Sequence, residues 1–174
     1  MRFRPQKIFS YVFVVVMGVL APVLYSQSPY CDVKLIDSYR CELDKSLGVL
    51  ASSGRIYKEE GLVIYFEEGM NQGHWANENE ISKYAWYLTR NVHGRTLKIA
   101  MIKDGVRSIW EPKQPRDSVI GRILLVTIPM DDDRNNAVNF RAEILTEPEL
   151  LDAISMILTF KGSEFGGSCS EKGK

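Results

Sequence analysis

Apolar residues recur at intervals of three and four positions in three stretches of this chain, which is the spacing of one helix face. The first stretch covers residues 32–51 and precedes Gly54, a residue type that often ends helices. It therefore predicts an amphipathic helix near the start of the folded domain. Its apolar positions are Leu35, Ile36, Tyr39, Leu43, Leu47 and Leu50.

The second and third stretches also carry signals for helix ends. Asn77 or Asn79 can cap a helix that extends to Gly94. Thr146 and Glu149 form a capping box ahead of a final helix over residues 147–160, with Pro148 where its missing amide does no harm. The predicted core faces are Ile81, Tyr84, Ala85, Leu88 and Val92 in the second helix, and Leu150, Leu151, Ile154, Ile157 and Leu158 in the last.

The stretches between these predicted helices are rich in β-branched and aromatic residues, which favours strands. Residues 55–66, 97–102, 119–128 and 137–145 have this character, and Asp104-Gly105 is the strongest hairpin signal. The predicted order is αββαββββα. This predicts an α+β fold, in which about three helices pack on an antiparallel sheet of five or six strands with one face partly exposed.

The N-terminus reads as a secretory signal peptide, with a basic start and an apolar run over residues 8–24. Pro22 favours cleavage, because it breaks the helix just before the boundary. Cleavage after Ser26 puts a small residue at −1 but Leu24 at −3, where a small residue is preferred. The competing interpretation is an uncleaved anchor in the inner membrane. We expect residues 1–26 to form the signal peptide, residues 27–161 a single domain, and residues 162–174 a flexible tail rich in Gly and Ser.

The charge balance argues against nucleic-acid binding. The leader contains three of the 22 basic residues and no acidic one, so cleavage leaves a net charge of about −3. Nucleic-acid affinity depends on clustered Lys and Arg, which this domain lacks. No Asn begins an Asn-x-Ser/Thr triplet, which favours the bacterial periplasm over a glycosylating secretory pathway.

An exported domain meets an oxidising environment, in which its cysteines tend to pair. The chain contains Cys31, Cys41 and Cys169. The simplest pairing joins Cys31 to Cys41 across a short loop, and the alternative joins one of them to Cys169 in the tail. We predict the first pairing.

No motif for catalysis or cofactor binding is present: the chain lacks Gly-x-Ser-x-Gly, Ser-x-x-Lys and a glycine-rich phosphate loop. His74 and His93 do not belong to a metal-type spacing. Asp131, Asp133 and Asn135 copy the first three ligand positions of a calcium loop, but the later ligand positions fail. We therefore predict no enzyme activity, no cofactor and no metal.

The predicted function is that of an exported protein-binding module, such as an inhibitor or immunity protein against an envelope-acting enzyme or toxin. Loops over residues 67–75 and 131–136 and exposed aromatic residues are the candidate contact points. An accessory or structural subunit of an envelope or secretion machine is the main alternative, and a hydrolase that uses His74 with a distant carboxylate is a third. The candidate binding residues are His74, Trp75, Trp86, Asp131, Asp132 and Asp133.

Overall fold

The computed structural model describes residues 25–27, 33–44, 51–70, 73–106, 109–117, 120–130 and 136–160. Most of the predicted signal peptide, the acidic residues Asp131, Asp132 and Asp133, and the predicted tail lie outside these ranges. The elements in chain order are β1 (Tyr25–Gln27), β2 (Lys34–Ile36), β3 (Arg40–Asp44), β4 (Ala51–Tyr57), β5 (Val63–Met70), a 3₁₀ helix (Glu78–Lys83), β6 (Tyr84–Val92), β7 (Arg95–Ile102), β8 (Arg122–Pro129), β9 (Asn136–Ile144) and α1 (Glu147–Ile157).

Seven strands form one antiparallel sheet in the order β3-β4-β5-β9-β8-β7-β6. Strands β1 and β2 make a separate two-stranded antiparallel sheet. The last strand in the chain, β9, lies in the middle of the large sheet. It pairs with β5 on one side and with β8 on the other. The large sheet therefore consists of two local meanders, β3-β4-β5 and β6-β7-β8, which β9 joins.

The prediction of five or six strands and about three helices is wrong. The described residues contain seven strands in one sheet, two more in the small sheet, and two helices, one of which is a short 3₁₀ helix. The predicted first helix is instead the region of β2 and β3. Side chains in β3 alternate between exposed and half-buried, so the local period is two rather than 3.6. Residues 45–50, which include Leu47 and Leu50, lie outside the described residues.

Gly54 does not end a helix. It lies within β4, and the ring of Phe66 on β5 packs over it. A Cβ at position 54 would lie 2.7 Å from the Phe66 Cζ atom, so only glycine leaves room for this ring.

The predicted second helix is a 3₁₀ helix followed directly by β6. Asn77 caps the 3₁₀ helix, because its side chain accepts a hydrogen bond from the Asn79 amide at 3.0 Å. The chain then becomes extended at Tyr84, in a segment rich in aromatic residues that favour strands. His93 and Gly94, both with positive φ, form a two-residue turn between β6 and β7. Positive φ at both central positions is the mark of a type I′ turn, so Gly94 closes a hairpin rather than a helix.

The hairpin predicted at Asp104-Gly105 does not form. The two residues lie in a turn after β7, and Gly105 has a φ of 76°. The chain does not return directly along β7. The described residues 103–106, 109–117 and 120–121 instead precede β8.

The final helix is confirmed. Thr146 Oγ1 accepts a hydrogen bond from the Glu149 amide at 3.4 Å, and the Glu149 carboxylate accepts one from the Leu145 amide at 2.8 Å. Its buried face carries Ala153, Met156 and Ile157. The predicted core position Leu151 is wrong, since half of this residue is exposed.

The sheet has apolar side chains on both faces. The face that packs against α1 carries the larger core, in which Phe140 meets Phe160 edge to face at 5.8 Å. The opposite face, here called the cleft face, has a smaller core under the segments around β6, β7 and β8. The buried members of that smaller core are Ala76, Tyr84, Ala100, Ile102, Ile123 and Leu125.

Arg116 links the cleft face to the start of α1. Its guanidinium makes two parallel bonds to the Glu149 carboxylate, both 2.8 Å long, and it also donates to the Glu143 carbonyl. The hydrogen bond from Arg116 lowers the pKa of Glu149. Glu143, which is buried, accepts hydrogen bonds from the Arg116 and Gly121 amides. This network therefore fixes the segment that precedes β8.

Cys41 on β3 is disulfide-bonded. The other two cysteines, Cys31 and Cys169, lie outside the described residues, so the pairing of Cys31 with Cys41 stays a prediction. Among the described residues, neither helix is long and apolar enough to cross a bilayer.

We expect α1 to stabilise the fold mainly through Met156. Met156→Ala should lower the free energy of unfolding by about 2–5 kcal/mol, because the side chain is fully buried. Ile154→Ala should cost less, since Ile154 is half-buried, and Thr146→Ala should cost about 1 kcal/mol through loss of the cap. Urea denaturation of the three variants measures this order, and a Thr146 effect equal to that of Met156 would contradict it.

The Arg116–Glu149 pair should make stability fall in acid. A carboxylate whose pKa is lowered in the fold stabilises the protein above its ordinary pKa of 4.5. That contribution is lost as the pH falls through the lower pKa of the folded state. Glu149→Gln should cost about 1–3 kcal/mol near neutral pH, and the cost should shrink in acid. Denaturation at several pH values tests this, with Glu147→Gln as an exposed control in the same helical turn. A Glu149→Gln cost that does not change with pH would refute the assignment.

Candidate functional site

The cleft face carries a cleft of about 350 Å³ at the end of the sheet formed by β6, β7 and β8. Loop residues before the 3₁₀ helix, the helix itself, the start of β6, the end of β7 and the segment after β7 all contribute to it. This volume is in the range of small-ligand and side-chain binding sites. The lining residues are His74, Trp75, Asn77, Glu80, Lys83, Tyr84, Ile102, Val106, Ile109 and Trp110.

Two polar side chains buried in the central strands hold one wall of the cleft. Thr127 on β8 and Asn139 on β9 lie opposite each other, are fully buried, and are joined by a hydrogen bond of 2.6 Å. Asn139 also bonds the Gly73 carbonyl at 3.0 Å and the Trp75 amide at 3.1 Å, and Thr127 accepts from the Ala76 amide at 2.9 Å. Because buried polar groups require partners, these bonds fix residues 73–76 against the sheet.

Aromatic residues form the apolar part of the cleft. The rings of Trp75 and Trp110 lie 4.6 Å apart between centroids, and Tyr84 stacks on Tyr87 at 5.9 Å. The Tyr84 hydroxyl accepts from the Asn77 amide at 3.1 Å and donates to the Trp75 carbonyl at 3.4 Å. Burial raises the pKa of Tyr84, so this hydroxyl remains protonated and continues to donate at neutral pH.

Trp110 reaches the cleft from the segment after β7. Its carbonyl accepts a hydrogen bond of 3.3 Å from Arg141 on β9. The Arg141 guanidinium lies over the ring of Tyr65 on β5, at 4.8 Å from its centroid. Trp110 is therefore held by a side chain from the central strand, as Trp75 is.

Charged residues line the rim and the floor next to the cleft. Lys98 on β7 bonds the Glu78 carboxylate at 2.6 Å, and its ammonium lies 3.3 Å from His74 Nδ1. The Glu80 carboxylate accepts from Lys83 at 2.7 Å. The cleft thus contains both His74 and a carboxylate, as a hydrolase would require. However, the Glu80 carboxylate is paired with Lys83, and the Lys98 ammonium contacts both His74 and Glu78.

Among the described residues that line the cleft, none is a Ser, Thr or Cys that could act as a nucleophile. No group of three or more His, Cys, Asp or Glu residues in the described part of the chain is arranged to hold a metal ion. The chemistry that this lining offers is apolar and aromatic contact with a charged rim.

The structure brings together two of the residues predicted from sequence, His74 and Trp75. Trp86 lies on the other face of the sheet, where it is half-buried against the core that contacts α1. A bulge in β6 between Tyr84 and Trp86 places Trp86 on the face opposite to that of Tyr84, which lines the cleft. Without the bulge, these two residues would share a face, since side chains two positions apart in a strand point the same way. Asp131, Asp132 and Asp133 lie outside the described residues.

Ile109 and Trp110 are site residues that the sequence analysis missed. Ile109 is 88% exposed, which is the highest exposure of any large apolar side chain in the described residues. An adjacent Ile and Trp in a polar segment with two prolines was the available signal, because such a segment has no strand or helix in which to bury them.

Comparison of the chain with protein-family models, with curated proteins and with solved structures finds no match.

Proposed function

We propose that this chain is an exported protein-binding module that acts without catalysis. Specifically, the protein is an inhibitor or immunity protein against an envelope-acting enzyme or toxin. The partner contacts the cleft of the cleft face and the adjacent Ile109. Export is proposed on the basis of the N-terminal leader.

The observation that carries the proposal is the exposed Ile109 beside the Trp75–Trp110 pair. An exposed apolar side chain next to a preformed aromatic cleft is typical of an interaction site. Trp and Tyr dominate the energetics of protein interfaces, because they bury a large area at a small entropic cost. The charged rim formed by Glu80, Lys83 and Glu78 gives such a site orientation and specificity.

Rigidity supports the same proposal. Both tryptophans of the cleft are fixed by bonds from β9, through Asn139 to Trp75 and through Arg141 to Trp110. A surface that is already ordered in the free protein loses little conformational entropy on binding. Inhibitors gain much of their affinity in this way.

A subunit of an envelope or secretion machine is the second candidate. The observation that favours it is β6, a nine-residue strand at the edge of the large sheet. Long edge strands are sites at which other chains add to a sheet.

Ile109→Asp should weaken partner binding without unfolding the protein. A charge in place of a central apolar contact should cost roughly 2 kcal/mol, or about a thirtyfold rise in Kd. Since Ile109 is already exposed, the melting temperature of the variant should stay within about 2 °C of that of the wild type. Purification of a partner from the envelope fraction, followed by calorimetric titration, gives both values.

Leu151→Asp is the matched control, because Leu151 is a half-exposed apolar residue on α1 rather than at the cleft. It should bind as tightly as the wild type. Equal affinity of the wild type and both variants would refute the cleft as the binding site, and the absence of any protein partner would refute the function.

Export and the disulfide are tested together by mass spectrometry of the protein that the cell accumulates. We expect a chain that begins after Ser26, and a non-reduced peptide that links Cys31 to Cys41. An intact Met1 would contradict cleavage, and a peptide that links Cys169 to Cys41 in the major species would contradict the pairing.

A further inference from the structure

The two edges of the large sheet differ in how well they are protected from pairing with another strand. Strand β3 is short, with five residues, and three of them are charged: Arg40, Glu42 and Asp44. Strand β6 has nine residues, and Arg90 is its one charged residue. Short, charged edges resist pairing, whereas long, apolar edges invite it. Among the strands that the structure describes, β6 is therefore the edge that is open to pairing.

The apolar character of β6 lies in the part of the strand that is regular. The bulge is confined to the start, between Tyr84 and Trp86, and the pairing with β7 is uninterrupted from Trp86 to Val92. Within that part, Trp86, Tyr87, Leu88 and Val92 are only half-buried. A strand added at this edge would complete the burial of these side chains.

The turn at His93 and Gly94 determines which backbone N–H and C=O groups of β6 point away from β7. The residues on either side of a two-residue turn, here Val92 and Arg95, exchange both of their backbone hydrogen bonds. From this pair onward, hydrogen-bonded and non-hydrogen-bonded pairs alternate along β6 and β7. Tyr87, Thr89 and Asn91 therefore direct their amides and carbonyls away from β7. In agreement, the Thr89 carbonyl accepts a hydrogen bond from the Arg90 side chain at 3.1 Å, outside the sheet ladder.

We infer that β6 pairs with β6 of a second copy of this chain, in antiparallel orientation about a two-fold axis at Leu88. In this register, Leu88 faces Leu88 of the partner subunit in a non-hydrogen-bonded pair, and Tyr87 exchanges both backbone bonds with Thr89 of the partner subunit. Trp86 lies opposite Arg90 of the partner subunit, which places a guanidinium beside an indole ring, a favourable cation–π pairing. The strand is thus complementary to itself, with no two like charges opposite each other.

The symmetry of this contact favours a second copy over a growing fibre. Pairing of β6 with itself uses the same surface on both subunits and closes after two copies. Pairing of β6 with β3 would leave one open edge at each end and would continue, but the charges of β3 oppose it. The dimer goes beyond the proposed function, because it uses the edge of the sheet rather than the cleft.

Sedimentation velocity over a range of concentrations tests the dimer on the protein as the cell accumulates it. We expect a reversible monomer–dimer equilibrium. Leu88→Lys sets two ammonium groups against each other at the axis and should raise the dissociation constant at least about thirtyfold. Thr89→Pro removes a backbone N–H that points to the open edge and does not bond to β7. The variant should therefore stay folded, and its dissociation constant should rise as well.

Leu43→Lys is the matched control, since Leu43 is a half-buried leucine on the other edge strand and packs against the same core. It should leave the dimer intact. Cysteine substitution then checks the register. In the oxidised protein, Leu88→Cys should form a disulfide between the two copies, because the Cα atoms of a non-hydrogen-bonded pair lie about 4.5 Å apart. Arg90→Cys should not, since two copies of residue 90 lie far apart in this register.

A protein that remains monomeric at all concentrations would overturn the inference. So would a dimer that Thr89→Pro and Leu88→Lys leave unchanged, or one that cross-links through Arg90→Cys instead of Leu88→Cys. Pairing of β6 with a segment of a different protein, seen as protection of the Tyr87 and Thr89 amides from hydrogen exchange only in that complex, would also overturn it.

Discussion

Strand β9 is the element on which the rest of this molecule depends. The meanders β3-β4-β5 and β6-β7-β8 belong to one sheet because β9 pairs with both of them. Its side chains alternate between two tasks. Val138, Phe140 and Ala142 point into the core that contacts α1, whereas Asn139, Arg141 and Glu143 bond the segments that cover the opposite face. One strand therefore holds the sheet together and also shapes the candidate site.

The cleft illustrates how buried polar residues can specify a loop. Thr127 and Asn139 are fully buried polar residues on neighbouring strands, and in place of water they bond the backbone of residues 73–76. A substitution of either residue by an apolar one would leave backbone amides and carbonyls without partners, which costs more than the bond itself contributes. The position of Trp75 is thus determined in the middle of the sheet rather than within its own loop.

Local signals in the sequence succeeded where local interactions decide the structure. The start of α1 was correctly predicted from the capping residues Thr146 and Glu149 and from Pro148. The stretches at 97–102, 119–128 and 137–145 overlap β7, β8 and β9, because they are rich in residue types that favour strands. His74 and Trp75 could be selected as candidates because aromatic and titratable residues in a glycine-containing loop are unusual.

The sequence failed where tertiary contacts override the local pattern. The spacing of Tyr84, Leu88 and Val92 is typical of a helix, yet these residues lie in β6, which pairs with β7. The two strands are joined by a turn at His93 and Gly94, which the helical interpretation assigned to the end of a helix. The bulge that moves Trp86 to the other face of the sheet depends on pairing and leaves no mark in the residue pattern. Trp110 lies against Trp75, and its carbonyl accepts a hydrogen bond from Arg141, a residue that is distant in the sequence.

The central position of β9 also constrains how the chain can reach its fold. Strands β5 and β8 are synthesised before β9, and each has an open edge until β9 arrives to fill the gap between them. Closing that gap requires contacts between residues far apart in sequence, such as Ile64 with Ala142, and such contacts form slowly. Two exposed strand edges during this interval favour aggregation. Efficient production of the protein therefore depends on how long the unfinished sheet is shielded from other chains.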